Sequence, residues 1–191
     1  MTSFKQTMIQ TRNSVGWPLA LLGVLWIIQI FNASIFHYSL NYWGVFPRTL
    51  HGLWGLIFAP WLHFSYQHMI GNSFMLFLLS WIICFNDKKV WLTSLFFGAI
   101  IGGGITWFLG GQGSHAGSSI WIFTLWGTIM GIALFERKPF YIIASLVLMA
   151  SYGVSILYGL IPQTGVSWAG HFGGLVAGIL CAKYLKNNKN G

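Results

Sequence analysis

The chain has 191 residues, of which 55% are hydrophobic and 6% are charged, whereas about 25% of the residues in an ordinary soluble domain are charged. This composition excludes a soluble globular domain and predicts an integral membrane protein. The net charge of +8 does not predict nucleic acid binding, because the basic residues form no patch and lie between the apolar segments.

Six apolar segments have about the 20 residues that a helix needs to cross a bilayer. They cover residues 18–36, 69–85, 90–109, 119–135, 140–160 and 167–185. Because such segments recur to the end of the sequence, the first is not predicted to be a cleaved secretory signal. We therefore predict one all-α transmembrane domain over residues 1–191, built as a bundle of six helices.

The connection between the first two spans, residues 37–67, differs from the others in length and composition. It contains Trp43, Trp54 and Trp61, several histidines and short apolar runs. Aromatic-rich segments of this kind lie in the membrane interface and do not cross it. We expect a partly helical, membrane-embedded first loop in the outer leaflet.

The connections after the second and fourth spans are short and charged, with the sequences NDKK (86–89) and ERKP (136–139). Among the basic residues, only Arg48 falls in a connection that the six-span pattern places on the opposite side. Basic residues concentrate on the cytoplasmic side of membrane proteins. The sequence therefore predicts a multi-pass protein with cytoplasmic N- and C-termini. Its minimal core without an internal targeting sequence favours a bacterial cytoplasmic (inner) membrane.

Glycines recur at every fourth position in the fourth and sixth spans. They are Gly127 and Gly131 in the fourth span, and Gly170, Gly174 and Gly178 in the sixth. This spacing places hydrogen atoms along one helix face and allows two backbones to approach. We expect the fourth and sixth helices to pack closely, which lets His171 lean toward the fourth helix.

Four polar side chains call for an explanation, because polar groups at membrane depth are costly. His68 and Asn72, Ser119, and His171 lie near the starts of the second, fourth and sixth spans, which share the non-cytoplasmic side in the six-span pattern. His68 and Asn72 are four residues apart and share one helix face. Ser119 follows a glycine loop (residues 110–118) and opens a helix, where unpaired N–H groups favour negative charge. Singly, each is more typical of a helix cap or an interfacial residue, but together they favour a hydrolytic site.

The carboxylate that completes a catalytic triad is missing from this side of the membrane. Asp87 and Glu136 are the only acidic residues of the chain, and both lie in turns on the opposite side. We therefore expect a Ser–His dyad in which His171 is oriented by packing, for example against Phe123, one turn after Ser119. No metal site or cofactor is predicted, since the histidines form no H-x-x-x-H pair and have no acidic partner.

Four stretches of the sequence form a pattern. They are GVFPRTLHGLWGL (44–56), HFSYQHMIGN (63–72), HAGSS (115–119) and AGHFGGLVAG (169–178). The pattern resembles the rhomboid family of intramembrane serine proteases, in which a G-x-S motif begins the fourth transmembrane helix and a histidine lies in the sixth. The resemblance covers residues 18–185 and implies a six-helix rhomboid-like bundle with a membrane-embedded first loop.

The resemblance implies a serine-type endopeptidase that cleaves transmembrane proteins near the non-cytoplasmic membrane face. Ser119 would be the nucleophile and His171 the general base. The Ser119 backbone N–H and the side chains of His68 and Asn72 would form the oxyanion hole. The supporting positions would be Gly117 in the tight loop, Phe123 and Gly174. The expected partners are transmembrane substrates and the lipid bilayer, with no nucleic acid.

Ser118 stands directly before the proposed nucleophile. Neighbouring residues at a helix start point about 100° apart, so Ser118 and Ser119 cannot both face His171. The position of the motif favours Ser119.

Three positions depart from the family pattern. Ile120 follows Ser119 where the family usually has glycine, Phe123 stands in place of a common tyrosine, and Trp54 is followed by Gly55 instead of arginine. The first departure keeps open an alternative, a proteolytically inactive rhomboid-like protein that binds transmembrane clients. A small transporter is disfavoured because the polar cluster lies at one end of the spans and not at the midplane. The oligomeric state and the substrate stay open.

Overall fold

The computed structural model describes residues 4–163 and 165–189, with side chains from residue 14 to residue 188 in those ranges. Six long helices form the bundle: α1 (Phe4–Ser34), α2 (Tyr66–Asn86), α3 (Lys88–Leu109), α4 (Ser119–Glu136), α5 (Pro139–Gly159) and α6 (Trp168–Lys189). Each overlaps one predicted span. The predicted fold class, an all-α membrane bundle, is confirmed.

Five of the helices in the described part of the chain are long and apolar enough to cross a membrane. They are Ser14–Ser34 of α1 and the whole of α2, α3, α4 and α5. Helix α6 has 22 residues but is less apolar, because it carries His171, Lys183 and Lys186 among its glycines. Its assignment as the sixth span stays a prediction that rests on its length and on its place in the bundle.

The helix ends are set by local side chains. The hydroxyl of Ser65 accepts the His68 N–H at 3.1 Å and caps the start of α2. Asp87 alone separates α2 from α3, and its carboxylate accepts the Lys89 N–H at 2.7 Å. Pro139 occupies the first turn of α5, where its missing N–H costs no helical hydrogen bond. The turns between α2 and α3 and between α4 and α5 are therefore as short as the sequence predicted.

The centre of the bundle is the contact between α4 and α6, and its closeness depends on glycine. A Cβ at Gly127 or Gly131 would press on α6, and a Cβ at Gly174 or Gly178 would overlap carbonyl groups of α4. The predicted close packing of these helices is confirmed. Gly170 is an exception to the predicted stripe, since it faces Ser167 and helix α3.

The first loop, residues 35–65 in the structure, is partly helical, as predicted. It contains the short helical segments Ser39–Trp43, His51–Trp54, Gly55–Phe58 and Ala59–Trp61. It lies against the glycine loop: the backbones of Val45 and His115 exchange two hydrogen bonds of 2.9 and 2.8 Å. The Ser114 hydroxyl also donates to the Asn41 carbonyl at 2.6 Å. The first loop therefore supports the segment that leads into α4.

Candidate active site

The four polar residues that the sequence singled out meet at one cavity. Ser119 is the first residue of α4, His68 and Asn72 lie in the first two turns of α2, and His171 lies in the first turn of α6. All four line a cavity of about 790 Å³. The cavity lies at the end of the bundle that also holds the first loop and the glycine loop. Residues from three separate helices thus share one space that water can enter.

Gly117 shapes the glycine loop just before Ser119. Its φ is +140°, a conformation that other residues rarely adopt, and its N–H donates to the Ala59 carbonyl at 2.9 Å. A Cβ on Gly117 would lie 2.7 Å from Cε1 of His68, closer than real Cβ contacts. The absence of a side chain therefore lets the His68 ring approach the backbone next to Ser119.

The two adjacent serines have different environments. Ser118 is fully buried, and its Oγ lies 3.1 Å from Nε2 of His63. The Ser118 N–H also donates to this nitrogen, at 3.2 Å. Ser119, in contrast, lines the cavity. The geometry places Ser119 and not Ser118 on the side of His171.

His63 is a neutral partner in this arrangement. Burial, together with the positive charge that His68 can carry, lowers the pKa of His63 to about 3. Its Nε2 therefore keeps the lone pair that accepts the Ser118 N–H. No role for His63 is predicted beyond its place in the motif, because nothing in the sequence indicates a contact with Ser118, 55 residues away.

His171 is held by two neighbours on different helices. Its ring stacks on that of Phe123, with centroids 4.2 Å apart and planes inclined by 8°, in line with the packing that helical spacing predicted. Its Nδ1 lies 2.7 Å from the carbonyl oxygen of Gly159 at the end of α5. A carbonyl can only accept, so Nδ1 carries the proton, and the lone pair of the neutral imidazole is on Nε2.

The contact of His171 with Gly159 is a feature of the candidate site that the sequence did not predict. A Cβ at this position would lie 3.0 Å from Nδ1 of His171 and 3.1 Å from Cζ of Phe123. Glycine is the only residue that leaves the imidazole this close to the α5 backbone. The sequence signal was a glycine at the end of a span, which is common in membrane helices and therefore weak.

Asn72 offers a hydrogen-bond donor to the cavity. The residue is 9% exposed, and its Nδ2 has no hydrogen-bond partner among the described residues. A buried amide without a partner is costly, and such groups in native structures call for a functional or solvent explanation. An oxygen in the cavity that carries negative charge would satisfy it.

Ser119 and His171 share the cavity without a direct hydrogen bond among the described residues. In enzymes without substrate, catalytic hydrogen bonds are often long and tighten only when substrate binds. The arrangement is therefore compatible with a dyad at rest, and equally with an inactive relative.

Ile120 points away from the large cavity. Its Cδ1 lies 3.2 Å from the position of a Cβ on Gly102, in a π-helical turn of α3 (Gly98–Gly102). Ile120 is buried and lines, with Ser119, a second cavity of about 20 Å³. The departure from the family pattern is thus absorbed by packing against a glycine-rich part of α3.

Arg48 connects the first loop to the end of α3. Its guanidinium donates to the carbonyls of Phe108 and Gly110, at 3.0 and 2.9 Å, and so caps carbonyls that the helix leaves unpaired. An arginine at position 55 has no space, because a Cβ on Gly55 would overlap the backbone of Gly44 and Val45. Arg48 is therefore the arginine that anchors this loop.

Among the described residues, no group of three His, Cys, Asp or Glu side chains is arranged to hold a metal ion. Six helices with a serine and a histidine from different helices on one cavity define a multi-pass helical membrane protein with a candidate hydrolytic site.

Comparison with known proteins agrees with this class. The model of the Rhomboid domain matches residues 50–188. The chain therefore belongs to the rhomboid family. Uncharacterized proteins of Mycobacterium tuberculosis and Mycobacterium bovis are each 34% identical to it, over 96% of this chain and 81% of theirs. An uncharacterized protein of Mycobacterium leprae is 32% identical, over 87% of this chain and 69% of its own length.

Proposed function

We propose that this rhomboid-family protein is an intramembrane serine endopeptidase that cleaves transmembrane proteins with a Ser119–His171 dyad. The observation that carries the proposal is the meeting of Ser119, His171 and the unpartnered amide of Asn72 on one cavity. A nucleophile, a base and an unused donor are the parts that acyl transfer needs.

In the first half of the reaction, Ser119 Oγ attacks the carbonyl carbon of the scissile peptide bond while Nε2 of His171 takes the hydroxyl proton. The oxygen of the tetrahedral intermediate receives hydrogen bonds from the Ser119 backbone N–H and from His68 and Asn72. His171 then gives its proton to the leaving amine as the C–N bond breaks. Water from the cavity repeats the sequence on the acyl-enzyme and regenerates Ser119.

The carbonyl of Gly159 takes the place that a carboxylate has in a triad. It fixes the Nδ1–H tautomer of His171 and keeps the imidazole ring stacked parallel to the ring of Phe123. When His171 becomes an imidazolium, this hydrogen bond becomes charge-assisted and gains strength. A carbonyl supports that charge less than a carboxylate does, which predicts a slow enzyme compared with triad proteases.

The expected site of cleavage is the non-cytoplasmic end of a substrate helix, in a bacterial inner membrane with both termini of the chain in the cytoplasm. The position of the basic turns supports this orientation. The cavity lies at the end of the bundle opposite the turns that carry Lys88, Lys89, Arg137 and Lys138, and basic turns favour the cytoplasm. Substrate would enter beside α5, since this helix is the least buried of the five apolar spans of the described chain.

The alternative function is an inactive rhomboid-like protein that binds transmembrane clients. The observation that favours it is the lack of a direct hydrogen bond between Ser119 and His171 among the described residues. A fluorophosphonate probe separates the two functions, because it reacts with a serine only when a base activates it.

The test uses purified protein in liposomes with a panel of single-span substrates. We expect Ser119→Ala to reduce cleavage to background and to abolish probe labelling, and His171→Ala to do the same. Ser118→Ala is the matched control and keeps most of the activity. Wild-type protein that neither cleaves nor takes up the probe would contradict the proposal. Loss of activity in Ser118→Ala but not in Ser119→Ala would show that Ser119 is wrongly assigned as the nucleophile.

A further inference from the structure

A hydrogen-bonded serine–histidine pair, Ser167 and His115, lines the same cavity. Nδ1 of His115 and Oγ of Ser167 are 2.7 Å apart, and Nε2 of His115 lies 3.0 Å from the carbonyl oxygen of Gly111. The carbonyl must accept, so Nε2 carries the proton and Nδ1 accepts the Ser167 hydroxyl proton. Both ring nitrogens of the neutral imidazole are thereby satisfied.

The position of this pair along the chain is informative. His115 stands four residues before Ser119, and Ser167 stands four residues before His171. The hydrogen bond therefore joins the loop that leads to the nucleophile with the residue that starts the helix of the base. Ser167 also accepts the Gly170 N–H at 3.3 Å and so caps the start of α6.

The two segments need such a connection. Below the cavity, α4 and α6 are fixed by their glycine contacts, but residues 110–118 form an irregular loop. The two backbone hydrogen bonds between His115 and Val45 connect His115 to the first loop and not to α6. Among the contacts described for His115, the bond to Ser167 is the one that crosses to the helix of His171.

We propose that His115 and Ser167 are positioning residues that set the distance between Ser119 and His171. The proposal rests on the proposed function. Misplacement of reacting groups by about 1 Å can cost about 100-fold in rate. A hydrogen bond that restrains the loop against α6 therefore acts mainly on the catalytic step, and substrate binding along the membrane-facing helices changes little.

The variants His115→Ala, Ser167→Ala and the double substitution test this role by steady-state cleavage and by hydrogen exchange of residues 110–118. We expect each single variant to lower kcat by about 10-fold with KM nearly unchanged. The double variant should match the singles, because each already removes the same bond. Exchange in the loop should be faster in all three.

Conservative variants and a control separate positioning from general damage. His115→Asn keeps an acceptor near the position of Nδ1, and Ser167→Thr keeps the hydroxyl, so both should recover most of kcat. Asp87→Ala removes a helix cap at the opposite end of the bundle. It should lower the melting temperature, as loss of the Ser167 cap does, and leave kcat unchanged.

Additive losses in the double variant, or a change confined to KM, would overturn the proposal. It would also be overturned if His115→Asn and Ser167→Thr failed to recover kcat, or if a fluorophosphonate adduct mapped to Ser167. If the wild-type protein neither cleaves nor labels, the proposed function fails, and a catalytic positioning role fails with it. Hydrogen exchange then still reports separately whether the bond restrains the loop. Unchanged exchange in an active enzyme overturns this inference alone.

Discussion

Replacement of Gly159 by alanine tests the structural basis of the proposed dyad, because it changes the environment of His171 without replacing a reactive group. The added Cβ would lie 3.0 Å from Nδ1 of His171 and 3.1 Å from Cζ of Phe123. Ordinary van der Waals contacts between such atoms begin at about 3.5 Å. The imidazole must therefore retreat by roughly 0.5 Å, which lengthens its 2.7 Å hydrogen bond to the Gly159 carbonyl.

The expected effect on the rate is large and the effect on stability is small. If a displacement of about 1 Å costs about 100-fold, one of half that size costs about 10-fold in kcat. Alanine is a better helix former than glycine by up to about 1 kcal/mol, which offsets part of the steric cost at the end of α5. We therefore expect the melting temperature to change by less than about 4 °C.

The assay measures kcat on a reconstituted single-span substrate, together with thermal unfolding of the same preparation. Gly23→Ala is the matched control, because a Cβ at Gly23 in α1 meets nothing within 4 Å. This control should keep the wild-type rate. A wild-type kcat in Gly159→Ala would refute the idea that the α5 carbonyl orients the base. An equal loss in Gly23→Ala would show that the effect is not local.

Two further predictions concern the donors and histidines around Ser119. Asn72→Ala should lower kcat by about 100-fold, because loss of an oxyanion-hole donor typically costs at least that much. The loss of stability should be small, since the Asn72 Nδ2 has no hydrogen-bond partner among the described residues. Asn72→Asp, which replaces a donor by an acceptor, should be no better. His63 has a pKa of about 3 when folded, against 6.5 for the ordinary side chain, so the unfolded chain binds its proton first as the pH falls. The free energy of unfolding should therefore decrease below about pH 6.5, by about 2 kcal/mol at pH 5. Chemical denaturation at several pH values measures this dependence, and His63→Gln should make it weaker. The same pH dependence in His63→Gln and in the wild-type protein would mean that His63 is protonated in the folded protein.

The sequence predicts the helices and the meeting of the site residues because both depend on long-range regularities. Hydropathy marks where helices lie, and alternation of direction then brings Asn72, Ser119 and His171 to one end of the bundle. The close contact of α4 and α6 follows from glycine spacing in the same way. Such patterns can be recognised in a sequence without knowledge of any loop conformation.

The parts that could not be predicted depend on backbone atoms and irregular segments. The sequence cannot show that the carbonyl of Gly159 contacts His171, since every residue has a backbone carbonyl. The contact of His115 with Ser167 joins residues 52 positions apart in the sequence. The contacts of Arg48 with the end of α3 join residues about 60 positions apart. Their geometry is fixed only once the first loop and the glycine loop are folded against each other.

In the proposed mechanism, a backbone carbonyl takes the place of a carboxylate, and this fits the surroundings of His171. A carboxylate at this depth would be a permanent charge in a poorly solvated site, which is costly unless it is fully paired. With Gly159 as the acceptor, the resting pair of Ser119 and His171 is neutral, and charge develops only as the proton moves. In the proposed mechanism the cost of burying charge arises in the transition state alone, where Asn72, His68 and the start of α4 would offer hydrogen bonds to the oxyanion. The lack of acidic residues on this side of the chain is therefore consistent with a working dyad.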